Sequence, residues 1–160
     1  EATGLAQVSA DLIVAAQAFH WFDAEATRDE CARVLRPDGQ VALVWNARSK
    51  GGSSFLRSYE AFLSQWADDY DEVDHQRGDI EARIERFYGT SPEVLEFEHA
   101  QHLDLQGLTG RLLSSSYVPR PRSLNDPIHE AIRLLFQAHQ EEGRVAILYT
   151  ARLYLGELAR

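Results

Sequence analysis

The chain has 160 residues, 44% of them hydrophobic and 26% charged, with a formal net charge of -9. That is the makeup of one folded domain, expected over residues 1–160, and the acidic surplus excludes a general nucleic-acid or anionic-membrane surface, which needs clustered Lys and Arg. No run reaches the roughly 18 consecutive apolar residues of a membrane span, no secretory signal pattern occurs, and the lone Cys31 permits no intrachain disulfide, so a cytoplasmic, reducing compartment is the expectation.

Asp11 to Ala16 is a short apolar run, the pattern of a strand covered on both faces in a mostly parallel sheet. Asp23 is placed to N-cap a helix over 24–35, with Glu25 in the first turn where it suits the helix dipole, and Ala26, Ala32, Val34 and Leu35 as apolar positions. Cys31, at helical spacing, reads as a small buried residue rather than a nucleophile. Pro37-Asp38-Gly39 stops the helix, and Gln40 to Trp45 reads as a second buried strand. Strand, helix and strand then form a βαβ unit with a right-handed crossover.

After the loop Lys50-Gly51-Gly52-Ser53-Ser54, Phe55, Tyr59, Phe62, Leu63 and Trp66 recur at helical spacing, an aromatic stripe expected to enter the core. The acidic run Asp68 to Asp74 lacks the central glycine and closing glutamate of a calcium loop and reads as a solvated connector. Alternation from Val94 predicts a half-buried strand ending near Leu103; His99 and His102 would need further ligands to hold a metal, and no metal is expected. Leu105 to Leu113 reads as a short helix, and Ser114 to Pro121 as an ordered loop. Asp126 caps the next helix with Pro127 at its first position and Ile128, Ile132, Leu135 and Phe136 on its buried face, and Gly143 ends it. Arg144 to Leu155 is rich in β formers and is expected to pair with the Val94 segment.

The run Ser9 to Asp23, with Ala18-Phe19-His20-Trp21-Phe22 at its end, followed by Arg33-Val34-Leu35-Arg36-Pro37-Asp38-Gly39 and Leu43-Val44-Trp45-Asn46, resembles the class I S-adenosylmethionine-dependent methyltransferases. More narrowly it is similar to the methyltransferase-11 type and its trans-aconitate methyltransferase-like branch. Ser114 to Pro119 and Gly143 through Tyr154 resemble the same branch, so the likeness covers nearly the whole chain. It implies an α/β fold, a partial Rossmann-like sheet whose strands match the family's fourth to seventh, in the order fourth, fifth, seventh, sixth, with flanking helices.

The resemblance further implies which residues meet the cofactor. Gln17, Ala18, Phe19, His20 and Trp21 match the segment facing its methionine and ribose end, and Glu1 and Ala2 the segment flanking its adenine pocket; ligands of open α/β sheets bind outside the carboxyl ends of the strands. The family's glycine-rich turn and first three strands have no counterpart, and there is no methionine. The chain therefore reads as the carboxyl-terminal part of a truncated domain, with an incomplete grip on S-adenosylmethionine.

Methyl transfer asks mainly for in-line positioning and at most one base. His20, in the aromatic turn, is the candidate base or substrate-orienting group; the alternative is a packed histidine that holds the turn. Trp45, Tyr117 and Tyr149 are candidates to line the pocket of a small-molecule methyl acceptor, or to be core; Arg48 is a candidate to meet an acidic acceptor, or to be a solvated surface residue. Two functions from different classes stay open: a small-molecule methyltransferase, and a non-catalytic, self-associating module of the same fold. The strand Asp11 to Ala16, lacking its family neighbour, is expected to present a bare apolar edge and to support a homodimer.

Overall fold

The computed structural model describes residues 2–67, 80–121, 123 and 126–159; the acidic stretch 68–74 lies outside the described residues. In chain order the elements are β1 (Ala10–Ala16), a 3-10 turn (Phe19–Trp21), α1 (Ala24–Val34), β2 (Leu35–Arg48), α2 (Ser54–Trp66), α3 (Ile80–Tyr88), β3 (Glu93–Leu103), α4 (Leu105–Leu113), α5 (Pro127–His139) and β4 (Val145–Gly156). The four strands form one sheet in the order β1-β2-β4-β3, the order that the resemblance implied. β1 and β2 run parallel, in register from Leu12 opposite Gln40 to Ala16 opposite Val44, with α1 between them in the chain.

Two compact units divide the chain: the described parts of 1–47, 76–97 and 150–160, and the described parts of 48–75 and 98–149. In the first, α1 packs on α3. Asp23 caps α1 as its side chain accepts from the Ala26 N–H, which satisfies one of the helix's orphan donors. Phe19, Cys31, Val41, Leu43, Ile84, Phe87 and Tyr88 form the core of this unit.

In the second unit α5 packs on α2 and on α4. Ser53, Asp104 and Asp126 cap α2, α4 and α5 by accepting from Leu56, Gly107 and Ile128, and Pro127 occupies the first turn of α5, where its missing N–H costs nothing. The aromatic stripe enters the core as expected: Phe55, Tyr59, Phe62 and Leu63 are buried beside Ile128, Ile132, Leu135 and Phe136.

Four local expectations are corrected. β1 is covered on one face only: Leu12 and Val14 are 51% and 58% exposed, because β1 ends the sheet and an apolar run does not state how many neighbours a strand has. β3, expected to be half-buried, is exposed on both faces up to Leu103, since it ends the other side of the sheet. Pro37-Asp38-Gly39 does not separate helix from strand; α1 ends at Val34, β2 begins at Leu35, and residues 36–39 bulge out between the pairs Ala10–Leu35 and Leu12–Gln40. Asp38 is left-handed there (φ 66°), and a Cβ on Gly39 would lie 2.9 Å from the Arg36 oxygen, so the bulge requires glycine. α5 stops at His139, not at Gly143. Glu142 and Gly143, both at positive φ, are instead the central pair of a tight turn in which Glu141 and Arg144 exchange main-chain hydrogen bonds of 2.8 and 3.0 Å.

Candidate functional site

At the carboxyl end of β1 the chain turns sharply. Gln17 adopts the left-handed conformation (φ 52°), which a residue with a side chain occupies only when its surroundings hold it. Those surroundings are the next strand: the Gln17 N–H donates to the Val44 carbonyl at 2.9 Å and its Nε2 to the Asn46 carbonyl at 3.1 Å.

The aromatic turn that follows is clamped from α3. Phe19 is fully buried, with Phe87, Trp45 and Phe22 packed edge-on at 4.8, 6.1 and 6.4 Å between ring centroids. Arg83 donates to the Phe22 carbonyl at 2.9 Å and the His20 carbonyl at 3.4 Å, and its guanidinium stands 5.7 Å from the Phe19 ring. This anchoring leaves His20 half-buried and Trp21 77% exposed, their rings 4.8 Å apart. Sequence reasoning missed Arg83 and all of α3; the spacing of Ile80, Ile84, Phe87 and Tyr88 is the signal that would have found the helix.

A cavity of about 580 Å³ opens beside β1 and brings together Ala2, Ala18 and Phe19 of the predicted cofactor set, walled also by Ile13, Ala15 and Cys31. Glu1 lies outside the described residues. The Thr27 hydroxyl, on another of the cavity's lining residues, is buried and has no hydrogen-bond partner among the described residues. The stretch bearing Ala2 is tied to α1 through Glu30, whose carboxylate accepts from the Thr3 N–H and hydroxyl at 2.8 and 2.6 Å and forms a two-pronged pair with Arg33. These hydrogen bonds, from Arg33 first and then Thr3, hold the Glu30 carboxyl far below the usual carboxylate range. Burial, assisted by the Glu30 charge, pushes the Cys31 thiol up to about 11.

The predicted acceptor residues fall in different places. Trp45 packs in the first unit, edge-on to Phe19 and to Tyr154 at 5.9 Å. Arg48, Tyr117 and Tyr149 belong to the second unit. There Arg48 pairs with Glu60 and lies 4.6 Å from the centre of the Tyr59 ring, a cation–π contact. Tyr149 is buried, its ring stacked on His99 at 5.2 Å, and its hydroxyl accepts from Arg111 Nε at 3.4 Å. Tyr59 faces the charges of both Arg48 and Arg111, yet burial dominates and pushes its phenol up to about 12. Burial works against the charge of Arg111, but the bond it donates to Tyr149 and the neighbouring phenols outweigh this and hold its pKa above the ordinary value. Sequence reasoning singled out neither Tyr59 nor Arg111 for this cluster. Among the described residues no group of three His, Cys, Asp or Glu could hold a metal, and no helix is long and apolar enough to cross a membrane.

A parallel βαβ start, a strained turn at the carboxyl end of β1 and the order β1-β2-β4-β3 define a Rossmann-like sheet of the class I methyltransferase type. Residues 1–43 match the family model of a methyltransferase domain. An uncharacterized methyltransferase of Mycobacterium bovis is 29% identical over 136 residues, which cover 82% of this chain and 50% of the relative. A methyltransferase-like protein of Schizosaccharomyces pombe is 52% identical over 40 residues, 25% of this chain and 16% of that protein. A solved structure from Anaeromyxobacter dehalogenans, assigned as a type II methyltransferase, superposes with a TM-score of 0.65 at 25% identity, covering 99% of this chain and 69% of that one. The chain is thus similar to class I S-adenosylmethionine-dependent methyltransferases in residues 1–43 and in fold, and it spans about half the length of the first of these relatives.

Proposed function

We propose that this chain serves S-adenosylmethionine-dependent methyl transfer to a small molecule, with the methionine and ribose end of the cofactor against the turn that follows β1. The observation that carries this reading is the left-handed Gln17, which opens the aromatic turn beside a cavity containing Ala2 and Ala18. Backbone strain of this kind is kept where the surroundings over-determine it, often at ligand sites. The cavity fits such a ligand: about 580 Å³ lies within the usual range for cofactor pockets, its wall is largely apolar, and the unpartnered Thr27 hydroxyl supplies a polar contact.

S-Adenosylmethionine supplies an activated methyl group on a sulfonium. Ala2, Ala18 and Phe19 would bound the bound molecule, Gln17 would present main chain toward it, and Trp21 would exclude water from the approach. His20, whose carbonyl Arg83 holds, would accept a proton from the attacking atom of the acceptor or orient it. On the acceptor side, Trp45 would supply aromatic surface within the first unit. The single buried cysteine suits a reducing, cytoplasmic setting.

The test is calorimetric titration of the 160-residue chain with S-adenosylhomocysteine. Saturable binding is expected, weakened at least tenfold by Ala18→Phe, which sets a large side chain on the cavity wall. A silent titration, or equal binding by folded Ala18→Phe, would overturn the assignment.

We also propose that β1 pairs with a second copy of the chain. It ends the sheet, and its open face presents Leu12 and Val14 to solvent.

A further inference from the structure

We propose that Arg111, in the last turn of α4, is the anchor of an oxyanion-binding site within the second unit, taking a carboxylate or phosphate group of a small molecule. A half-buried arginine in a folded protein is ordinarily met by a carboxylate, whose two oxygens match the fork of its guanidinium. Two arginines address the same group of tyrosines, and they are treated differently. Arg48 lies over Tyr59 and has its charge answered by Glu60. Arg111 has no carboxylate partner among the described residues; its one side-chain hydrogen bond is the long contact of 3.4 Å to the Tyr149 hydroxyl.

That contact also leaves a donor. In donating Nε–H to Tyr149, Arg111 uses the phenol oxygen as acceptor, so the phenol proton is left to point toward an incoming anion. The terminal nitrogens of the guanidinium make no side-chain bond among the described residues, which leaves its planar fork for bidentate recognition. Tyr149 is itself held in place by burial and by stacking on His99. A pre-ordered phenol beside an unmatched guanidinium is a receptor for two oxygens of one anionic group.

As a statement about the methyl acceptor this rests on the function proposed above; as a binding site it does not, and the experiment separates the two. Citrate and inorganic phosphate are titrated into the full chain at constant ionic strength while the Arg111 Nε–H resonance is followed by NMR, with methylammonium as the cationic control. Saturable binding of citrate or phosphate is expected, the stronger of the two identifying the group recognised. Arg111→Gln should weaken it at least tenfold, Arg111→Lys less, since charge is kept and the fork lost. Tyr149→Phe should weaken it severalfold, and Arg133→Gln on the exposed face of α5 should leave it unchanged. Thermal melts confirm that each variant is folded, and Arg111→Lys serves if Arg111→Gln is not. No saturable binding of either anion, or undiminished binding by folded Arg111→Gln, would overturn the site. Arg111-dependent anion binding in a chain silent toward S-adenosylhomocysteine would uphold the site and overturn the methyl-transfer reading.

Discussion

The hydroxyl of Tyr88, in the last turn of α3, lies 3.0 Å from the main-chain oxygen of Val41 on β2. It lies 2.9 Å from the Tyr154 oxygen on β4 as well, so one phenolic proton is shared between two carbonyls of adjacent strands. Tyr88 is fully buried, and burial pushes its phenol far above the ordinary range. The neutral donor is thus kept at any working pH, and a single side chain satisfies main-chain acceptors that have no access to water.

Tyr88→Phe preserves the packing of the ring and removes only this donor. It should destabilise the chain by about 1–3 kcal/mol, the cost of leaving a buried acceptor unsatisfied, read as a lower urea midpoint with an unchanged slope. A variant as stable as the parent would show that the two carbonyls find other donors.

Gln17→Gly tests whether the strained turn is held for function. A left-handed residue other than glycine costs about 1–2 kcal/mol, partly offset by glycine's greater loss of chain freedom, so the variant should gain a few tenths to 1 kcal/mol. Its affinity for S-adenosylhomocysteine should fall, because the freed turn no longer arrives pre-ordered. A loss of stability would mean that the Gln17 side-chain bond to Asn46 outweighs the strain.

The Glu30 tether has a definite pH sign. Because the folded-state pKa is depressed, its contribution is complete above the ordinary carboxylate value of 4.5 and is lost as the pH falls through the much lower folded value. Glu30→Gln should therefore be less stable than the parent at pH 7, with the difference vanishing in strong acid. Since Glu30 also secures Thr3 at the rim of the cavity, the variant should release residues 2–5, seen as faster amide exchange there. An identical gap between the two proteins at pH 7 and pH 2 would remove the carboxylate from this role.

Cys31, 6% exposed and shifted up to about 11, should resist alkylation by iodoacetamide at pH 8 in the folded chain and react when it is unfolded. Its raised pKa contributes stability that is whole below the ordinary thiol value of 9.0 and fades as the pH rises through about 11. Rapid labelling of the native chain would show that the α1 side of the cavity opens readily.

What could be read from the sequence was local. Asp23, Ser53 and Asp126 stand in the sequence directly before periodic apolar runs, and each caps the helix that such a pattern signals. Helix α3 carries the same signals, Asp79 standing directly before the periodic Ile80, Ile84, Phe87 and Tyr88, but the run is only nine residues long and joins no recognised motif. The strand order, and with it the bare edge of β1, was legible only through the family resemblance; the exposure of the outer face of β1 and of both faces of β3 was not, because an apolar or alternating run does not state what covers a strand's faces. The site divides in the same way. The aromatic turn is contiguous and was found, whereas Arg83 reaches His20 across 63 positions and Arg111 reaches Tyr149 across 38, separations at which no local pattern exists.

The proposed self-association turns on β1. Its inner face packs Ile13 and Ala15 against the core of the first unit, so β1 is firmly placed, while Leu12 and Val14 on the other face meet solvent. A placed strand with one unpaired edge and an apolar face is a template for another strand, and natural edge strands usually blunt this with charge, proline or a bulge. β1 has an irregularity only at its start, between Ala10 and Leu12, and one charged residue, Asp11, whose carboxylate is already paired with Arg36 at 2.6 Å. Nothing in Leu12 to Ala16 blunts the edge. Multi-angle light scattering should show concentration-dependent dimers that persist in high salt, since the attraction is apolar. Leu12→Lys combined with Val14→Lys should give a folded monomer, both positions being exposed and so tolerant of charge. A monodisperse parent monomer at high concentration would defeat the proposal, as would an undiminished dimer in the double variant.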